Sequence, residues 1–226
     1  MNKKERIGIV TACMNRSEAL SVSLQSWLIQ DSIDEIIIVD WCSKQSLKPL
    51  EAIDPRIKVH THVGEKYFNI SRAFNLGFAQ STCDRVLKMD VDYVLNPYEN
   101  ISELELPEKS FLTGNWEDVE IDKPGFLRYL NGFIYIRKKD FDQVNGYNEK
   151  FVGYGEDDSE LYRVLVESGM EHNKLQLQFA GKPDWPVLSS PLYVFHIPHP
   201  EKNRTENYKA EDHTKSHDKN RSRSRI

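Results

Sequence analysis

The chain has 226 residues, enough for one large domain or two small ones at about 150 residues per domain. Hydrophobic residues make up 39% and aromatics 11%, a composition that builds a packed core and excludes a disordered chain. The 30 Lys and Arg stand against 35 Asp and Glu, a net charge of −5, and so argue against a general nucleic-acid binder, which needs a basic field.

The three cysteines, Cys13, Cys42 and Cys83, are odd in number and far apart. That excludes a disulfide scaffold and a Cys-rich zinc site, and reads as free thiols in a reducing compartment. The basic N-terminus leads into an apolar run too short for a secretory signal. No apolar stretch approaches the roughly 20 residues that span a bilayer. The expected location is the cytoplasm, or the cytoplasmic face of a membrane reached through a partner.

The first expected strand is IGIVTA at 7–12. Ser17 is a candidate cap for a helix with Leu20, Leu24, Trp27 and Leu28 on one face. In DEIIIVDW, Ile36 to Val39 are apolar without alternation, as in a strand covered on both faces. A short strand at 56–60 and a helix over 70–81, with Ile70, Ala73, Phe74 and Phe78 inward, precede the strand RVLKMD. This order predicts an α/β fold, a mostly parallel sheet flanked by helices. Ligands in such sheets collect at the carboxyl ends of the strands. Thr11, Asp40 and the pair Asp90 and Asp92 fall at three such ends.

Residues 96–110 read as a connection. FLTGNWEDVEI and the stretch ending in FIYIR read as strands or a hairpin, with FIYIR central. DDSELYRVLVESGM is a helix with Leu161, Val164 and Leu165 inward, and PLYVFHIPH is a last strand. The tail from about 206 has almost no core-forming residue and is expected to be disordered.

Three motifs carry chemistry. In KMDVD, two carboxylates just past a buried strand suit a hard divalent cation that in turn holds a diphosphate. In GYGEDDSELYRVL, Glu156, Asp157 and Asp158 open a helix. Capping accounts for one of them, and an ionised carboxylate in a cleft can take a proton from a hydroxyl. In FHIPHPEKNR, a strand-end His196 is a further candidate metal ligand, and Lys202 and Arg204 lie where they can reach phosphate oxygens.

TACMNR at 11–16, IVDW, SRAFNLGF, KMDVD, NGF at 131–133, GYGEDDSELYRVL and FHIPHP follow the order seen in GT-A fold glycosyltransferases. The second half most resembles the module shared by β-1,4-galactosyltransferases, polypeptide N-acetylgalactosaminyltransferases and bacterial chondroitin-type polymerases. The resemblance implies one GT-A domain over 1–205, with a nucleotide-sugar half at 1–95 and an acceptor half at 96–205. It implies a UDP-sugar donor, a glycan, glycolipid or protein acceptor, and Mn²⁺ or Mg²⁺ held by Asp92 and His196.

Thr11 and Arg16 would line the nucleotide pocket, Asp40 would bond the uracil or ribose, and Arg72 and Asn75 would lie near the phosphates. Asp90 would face the ribose or donor sugar, and Gly132 would let the sugar approach. Glu156 would bind substrate hydroxyls, and Asp157 would be the general base. Vertebrate β-1,4-galactosyltransferases carry Trp in the turn where this chain has Tyr154. The implied reaction is hexose transfer with inversion, galactose or N-acetylgalactosamine favoured. A retaining transferase and a non-catalytic sugar-nucleotide or glycan-binding module are the alternatives. A nucleotidyltransferase would need a Gly-rich phosphate loop, which TACMNRSEA is not.

Overall fold

A computed structural model describes residues 4–96, 100–114, 132–175, 179–180, 187–188, 194–197, 208 and 219–224. The first half alternates as the sequence predicts. Strand β1 (Ile7–Cys13) is followed by α1 (Ser17–Leu28), β2 (Ile33–Trp41), β3 (Ile57–His62), α2 (Ile70–Gln80) and β4 (Arg85–Lys88). Next come β5 (Tyr93–Leu95), β6 (Ser110–Gly114), β7 (Ile134–Arg137), α3 (Lys138–Gln143), α4 (Asp157–Glu167) and β8 (Glu171–Leu175). Short strands β9 (Phe179–Ala180), β10 (Val187–Leu188) and β11 (Val194–His196) complete the described elements.

Seven strands form one sheet in the order β3-β2-β1-β4-β7-β6-β8. All its pairings are parallel except the two made by β7, which runs against both β4 and β6. The sheet is therefore mostly parallel, with β7 central. Two apolar layers cover it. Ile36 and Ile38 of β2 face one layer with Leu20, Leu24 and Trp27 of α1. Ile37 and Val39 face the other with Phe74 and Phe78 of α2 and Leu161 and Leu165 of α4. Side chains alternate across a strand, so an unbroken apolar run is what a doubly covered strand requires. Each large side chain buried this way stabilises the fold by about 1.5–3 kcal/mol.

Two details differ from the sequence expectation, the start of α1 and the tail, and the cap of α2 is new. Ser17 is the first helical residue of α1, Arg16 occupies the cap position, and no side chain caps that end. In α2 the cap is Asn69, whose side chain accepts from the Arg72 amide at 3.0 Å. In the tail expected to be disordered, residues 219–224 contain a helical turn, and Asn220 is 1% exposed. The parts of the expected strands over 115–121 and 125–131 lie outside the described residues.

All three cysteines are free. Burial pushes the Cys13 and Cys83 thiols up to about 12, so both stay protonated and inert near neutrality. Among the described residues no helix is long and apolar enough to cross a membrane.

Candidate active site

The carboxyl ends of β1, β2 and β4 lie side by side, since these strands are parallel neighbours. Beyond β4 the chain turns at once: the Tyr93 amide donates to the Asp90 carbonyl at 3.0 Å. That turn sends Asp90 and Asp92 to different partners. Asp90 Oδ1 lies 3.0 Å from Lys88 Nζ. Asp92 Oδ2 receives Arg16 Nη2 at 2.8 Å.

Lys88 joins the two acidic motifs. Its Nζ is also 3.3 Å from Asp158 Oδ1 in the first turn of α4, and its side chain is 0% exposed. It lies 4.4 Å from the Phe74 ring centroid, and Tyr147 donates to the same Asp158 oxygen at 2.8 Å. Burial works against a charged Lys88, but the Asp158, Asp90 and Asp157 charges outweigh it and raise its pKa above the ordinary lysine value. The cation between the paired acids is thus a lysine.

Asp157 is the first residue of α4 and is buried. Burial first, then the neighbouring Asp158 charge, pushes its carboxyl up to about 7, with Lys88 pulling the other way. Burial also raises Asp90, opposed by Lys88. Glu156 caps α4 in the left-handed region at φ 69° and pairs with Arg221 at 3.1 Å. Tyr208, 5.5 Å from the Phe68 ring and 5.8 Å from the Tyr154 ring, borders the same site. Burial and the charges on Asp157 and Asp90 raise its phenol well above the ordinary value.

The antiparallel pair β5–β11 sets His196 opposite Tyr93 and brings His196 Nε2 to 3.3 Å from Asp92 Oδ2. Asp92 has 3% of its side chain exposed and already attracts a guanidinium. One buried carboxylate beside one imidazole nitrogen fits a divalent ion of the Mn²⁺ or Mg²⁺ class, with the remaining positions left to other ligands. Among the described residues, no three His, Cys, Asp or Glu side chains gather as a complete cage.

The other expected residues divide. Thr11 is buried, and its Oγ1 has no hydrogen-bond partner among the described residues. Arg72 pairs with Glu65 and lies 5.5 Å from the Trp41 ring centroid. Gly132 backs onto Asp90: a Cβ there would sit 2.4 Å from Asp90 Oδ2, so the close approach is made by that carboxylate. The Gly132 amide donates to Tyr93 Oη at 3.1 Å. Asp40 is engaged by its own loop, accepting from the Ser43 and Leu47 amides at 3.2 and 3.0 Å. Asn75 clamps α2 to the Tyr147 turn, donating at 2.9 Å to the Tyr147 carbonyl and accepting at 2.8 Å from its amide. Lys202 and Arg204 lie outside the described residues.

Sequence reasoning gave no role to Lys88, Tyr147 or Tyr208, and read Asp158 only among the acids that open the helix. Lys88 carried a readable signal, since a lysine inside a doubly covered strand requires buried anionic partners. Tyr208 carried none, because it stands in a polar tail.

The family model for the N-terminal domain of galactosyltransferase matches residues 123–184. The chain is 26% identical over 128 residues to mouse β-1,4-galactosyltransferase 1, covering 53% of this chain and 31% of that protein. The bovine protein of the same name is 27% identical, with 53% and 30% covered. The chain thus spans about a third of the length of these relatives. Among solved structures, a Drosophila β-1,4-galactosyltransferase 7 variant in complex with manganese, UDP-Gal and xylobiose superposes with a TM-score of 0.64 at 17% identity, covering 93% of this chain and 78% of that one. The chain has the GT-A glycosyltransferase fold. A mannosyltransferase from Pyrobaculum calidifontis, in complex with GDP-Man and Mn²⁺, shares it at a TM-score of 0.56 and 13% identity, covering 76% and 55%. Gly132 and the whole acidic turn of this GT-A domain lie inside the span that resembles galactosyltransferases.

Proposed function

We propose that this protein is a metal-dependent glycosyltransferase that moves a hexose from a UDP-sugar to an acceptor hydroxyl with inversion. The observation that carries the reading is Lys88. One buried ammonium group holds Asp90 of the D-x-D motif and Asp158 of the acidic turn at 3.0 and 3.3 Å. Two motifs about seventy residues apart therefore share one site. Galactose or N-acetylgalactosamine is the favoured sugar, supported by the likeness to β-1,4-galactosyltransferases. The acceptor is a glycan, glycolipid or protein in polysaccharide or glycoconjugate synthesis on the cytoplasmic side.

In this reading Asp92 and His196 hold the divalent ion, which supplies countercharge for a diphosphate leaving group. Arg16, already on Asp92, adds a second positive charge at the same place. Thr11 and Arg72 line the nucleotide side, and Asp90, with Gly132 packed behind it, faces the ribose or donor sugar. Asp157 accepts the proton of the acceptor hydroxyl as its oxygen attacks the anomeric carbon, while the bond to UDP breaks on the opposite face. Its position in the first turn of α4 favours the ionised form through the helix dipole, against the burial that raises its pKa. Glu156 orients substrate hydroxyls.

A screen of sugar nucleotides for UDP release, with and without Mn²⁺, tests the proposal. UDP-galactose or UDP-N-acetylgalactosamine should be consumed only with the metal. Asp157→Asn should cut turnover by about 10²–10⁴-fold while leaving UDP affinity near that of the wild type. A variant with full turnover removes Asp157 from the base role, and a product of retained anomeric configuration removes inversion.

A further inference from the structure

The turn that presents Glu156 and Asp157 has an unusual backbone. Gly153, Gly155 and Glu156 have φ values of 84°, 95° and 69°. Two of these are glycines, for which such angles cost little. Glu156 is not, and a side-chain-bearing residue held there carries backbone strain that its surroundings must offset. The Glu156 carbonyl accepts from the Glu160 amide at 2.9 Å, but its side chain makes no capping bond to α4, so the helix holds the turn from one side only.

Residues 219–224 supply the further restraint. Asn220 is 1% exposed, and its side-chain amide spans the turn. Oδ1 accepts from the Val152 amide at 3.1 Å, and Nδ2 donates to the Gly155 carbonyl at 2.8 Å. Arg221 reaches the Glu156 carboxylate itself, Nε to Oε1 at 3.1 Å. A third bond anchors the segment from the other side, where Asn148 Nδ2 donates to the Arg223 carbonyl at 2.9 Å. The segment braces itself with a Ser222 hydroxyl on the Lys219 carbonyl at 2.7 Å. A buried primary amide that satisfies one donor and one acceptor on opposite ends of a four-residue turn fixes its shape more firmly than either bond alone.

We infer that Asn220 and Arg221 are positioning residues: this C-terminal segment clamps the 152–156 turn and so sets the direction in which Glu156 and Asp157 face the substrates. The inference rests on the role proposed above for those two acids. Neither Asn220 nor Arg221 touches the reacting atoms in that role. They act through the backbone and through the Glu156 side chain.

The test is Asn220→Ala in the full-length chain, with turnover and hydrogen exchange measured together. Turnover should fall by about tenfold to a hundredfold, the loss expected of a small misplacement, with the KM for the donor within about twofold of wild type. Amide exchange over residues 152–158 should accelerate at least about tenfold, while exchange in β1, β2 and β4 stays unchanged. Arg221→Ala should lower turnover less, and Arg221→Lys should restore part of that loss. Unchanged exchange in Asn220→Ala overturns the clamp. Accelerated exchange with unchanged turnover overturns its positioning role. If the wild type releases UDP from no sugar nucleotide, the proposed reaction fails, and the exchange measurement still decides whether the clamp exists.

Discussion

Lys88 interrupts an otherwise apolar strand, and its complete burial forces the surrounding chemistry to be anionic. Asp90 and Asp158 meet that demand, and Tyr147 adds a hydrogen bond that fixes Asp158 in place. Removing the ammonium leaves Asp158, 13% exposed, facing Asp90, 31% exposed, with no countercharge between them. Lys88→Met should therefore cost about 3–5 kcal/mol, read as a lower urea midpoint at an unchanged slope. Lys88→Met combined with Asp158→Asn should recover part of that loss, because the second change neutralises one stranded charge. A midpoint unmoved by the single variant would show that the lysine is replaceable. Motif reading set Asp90 and Asp92 just past a strand and the 156–158 acids at a helix start, and gave the metal to Asp92 and His196, but it gave Lys88 no role. The positive charge between Asp90 and Asp158 comes from the strand itself, two residues upstream of Asp90.

The helices do more than cover the sheet. Helix α2 is tied to the loop before α4 by Asn75, and α3 is tied to α2 by stacked Phe78 and Phe141 rings with centroids 3.7 Å apart. Gly146 sits at the centre of this arrangement, at φ 58°, where a Cβ would lie 2.4 Å from Asn75 Oδ1 and 2.6 Å from Phe141. Gly146→Ala combines overpacking with an unfavourable backbone. It should lower the Tm by about 5–10 °C, measured by calorimetry. The elements themselves were legible in the sequence: the period of Ile70, Ala73, Phe74 and Phe78 gives α2, and the unbroken Ile36–Val39 gives a doubly covered β2. The clamp was not legible. An asparagine on a helix near a proposed phosphate site looks like a ligand-binding group until the Tyr147 turn is seen to occupy it.

At the scale of the whole molecule, stability and chemistry pull in opposite directions at Asp157. Its carboxyl titrates near 3.8 when the chain is unfolded and about 7 when folded. The folded state therefore holds its proton more tightly. The stability this contributes is fully present below about pH 4 and is lost as pH rises to about 7. Asp157→Asn should match the wild type in Tm near pH 4 and exceed it by about 5–10 °C at pH 8. The base role proposed for Asp157 requires the ionised carboxylate, so turnover of the wild type should rise through the same window. Equal Tm values at both pH values would show that the site accommodates the charge at no cost.

The order of strands and helices could be read ahead of the structure because local patterning dictates it. The pairing of β7 against its neighbours could not, because nothing in FIYIR encodes direction. That reversal has an outcome for diversification. Since β6 ends and β7 begins on the same rim of the sheet, Gly114 and Gly132 both stand on the rim that carries Asp90 and Asp92. The length and composition of the linker between them can change without disturbing strand register. Under the proposed transfer reaction, grafting the corresponding linker from a relative should change which acceptors are used, read as a changed ratio of kcat/KM between two acceptors.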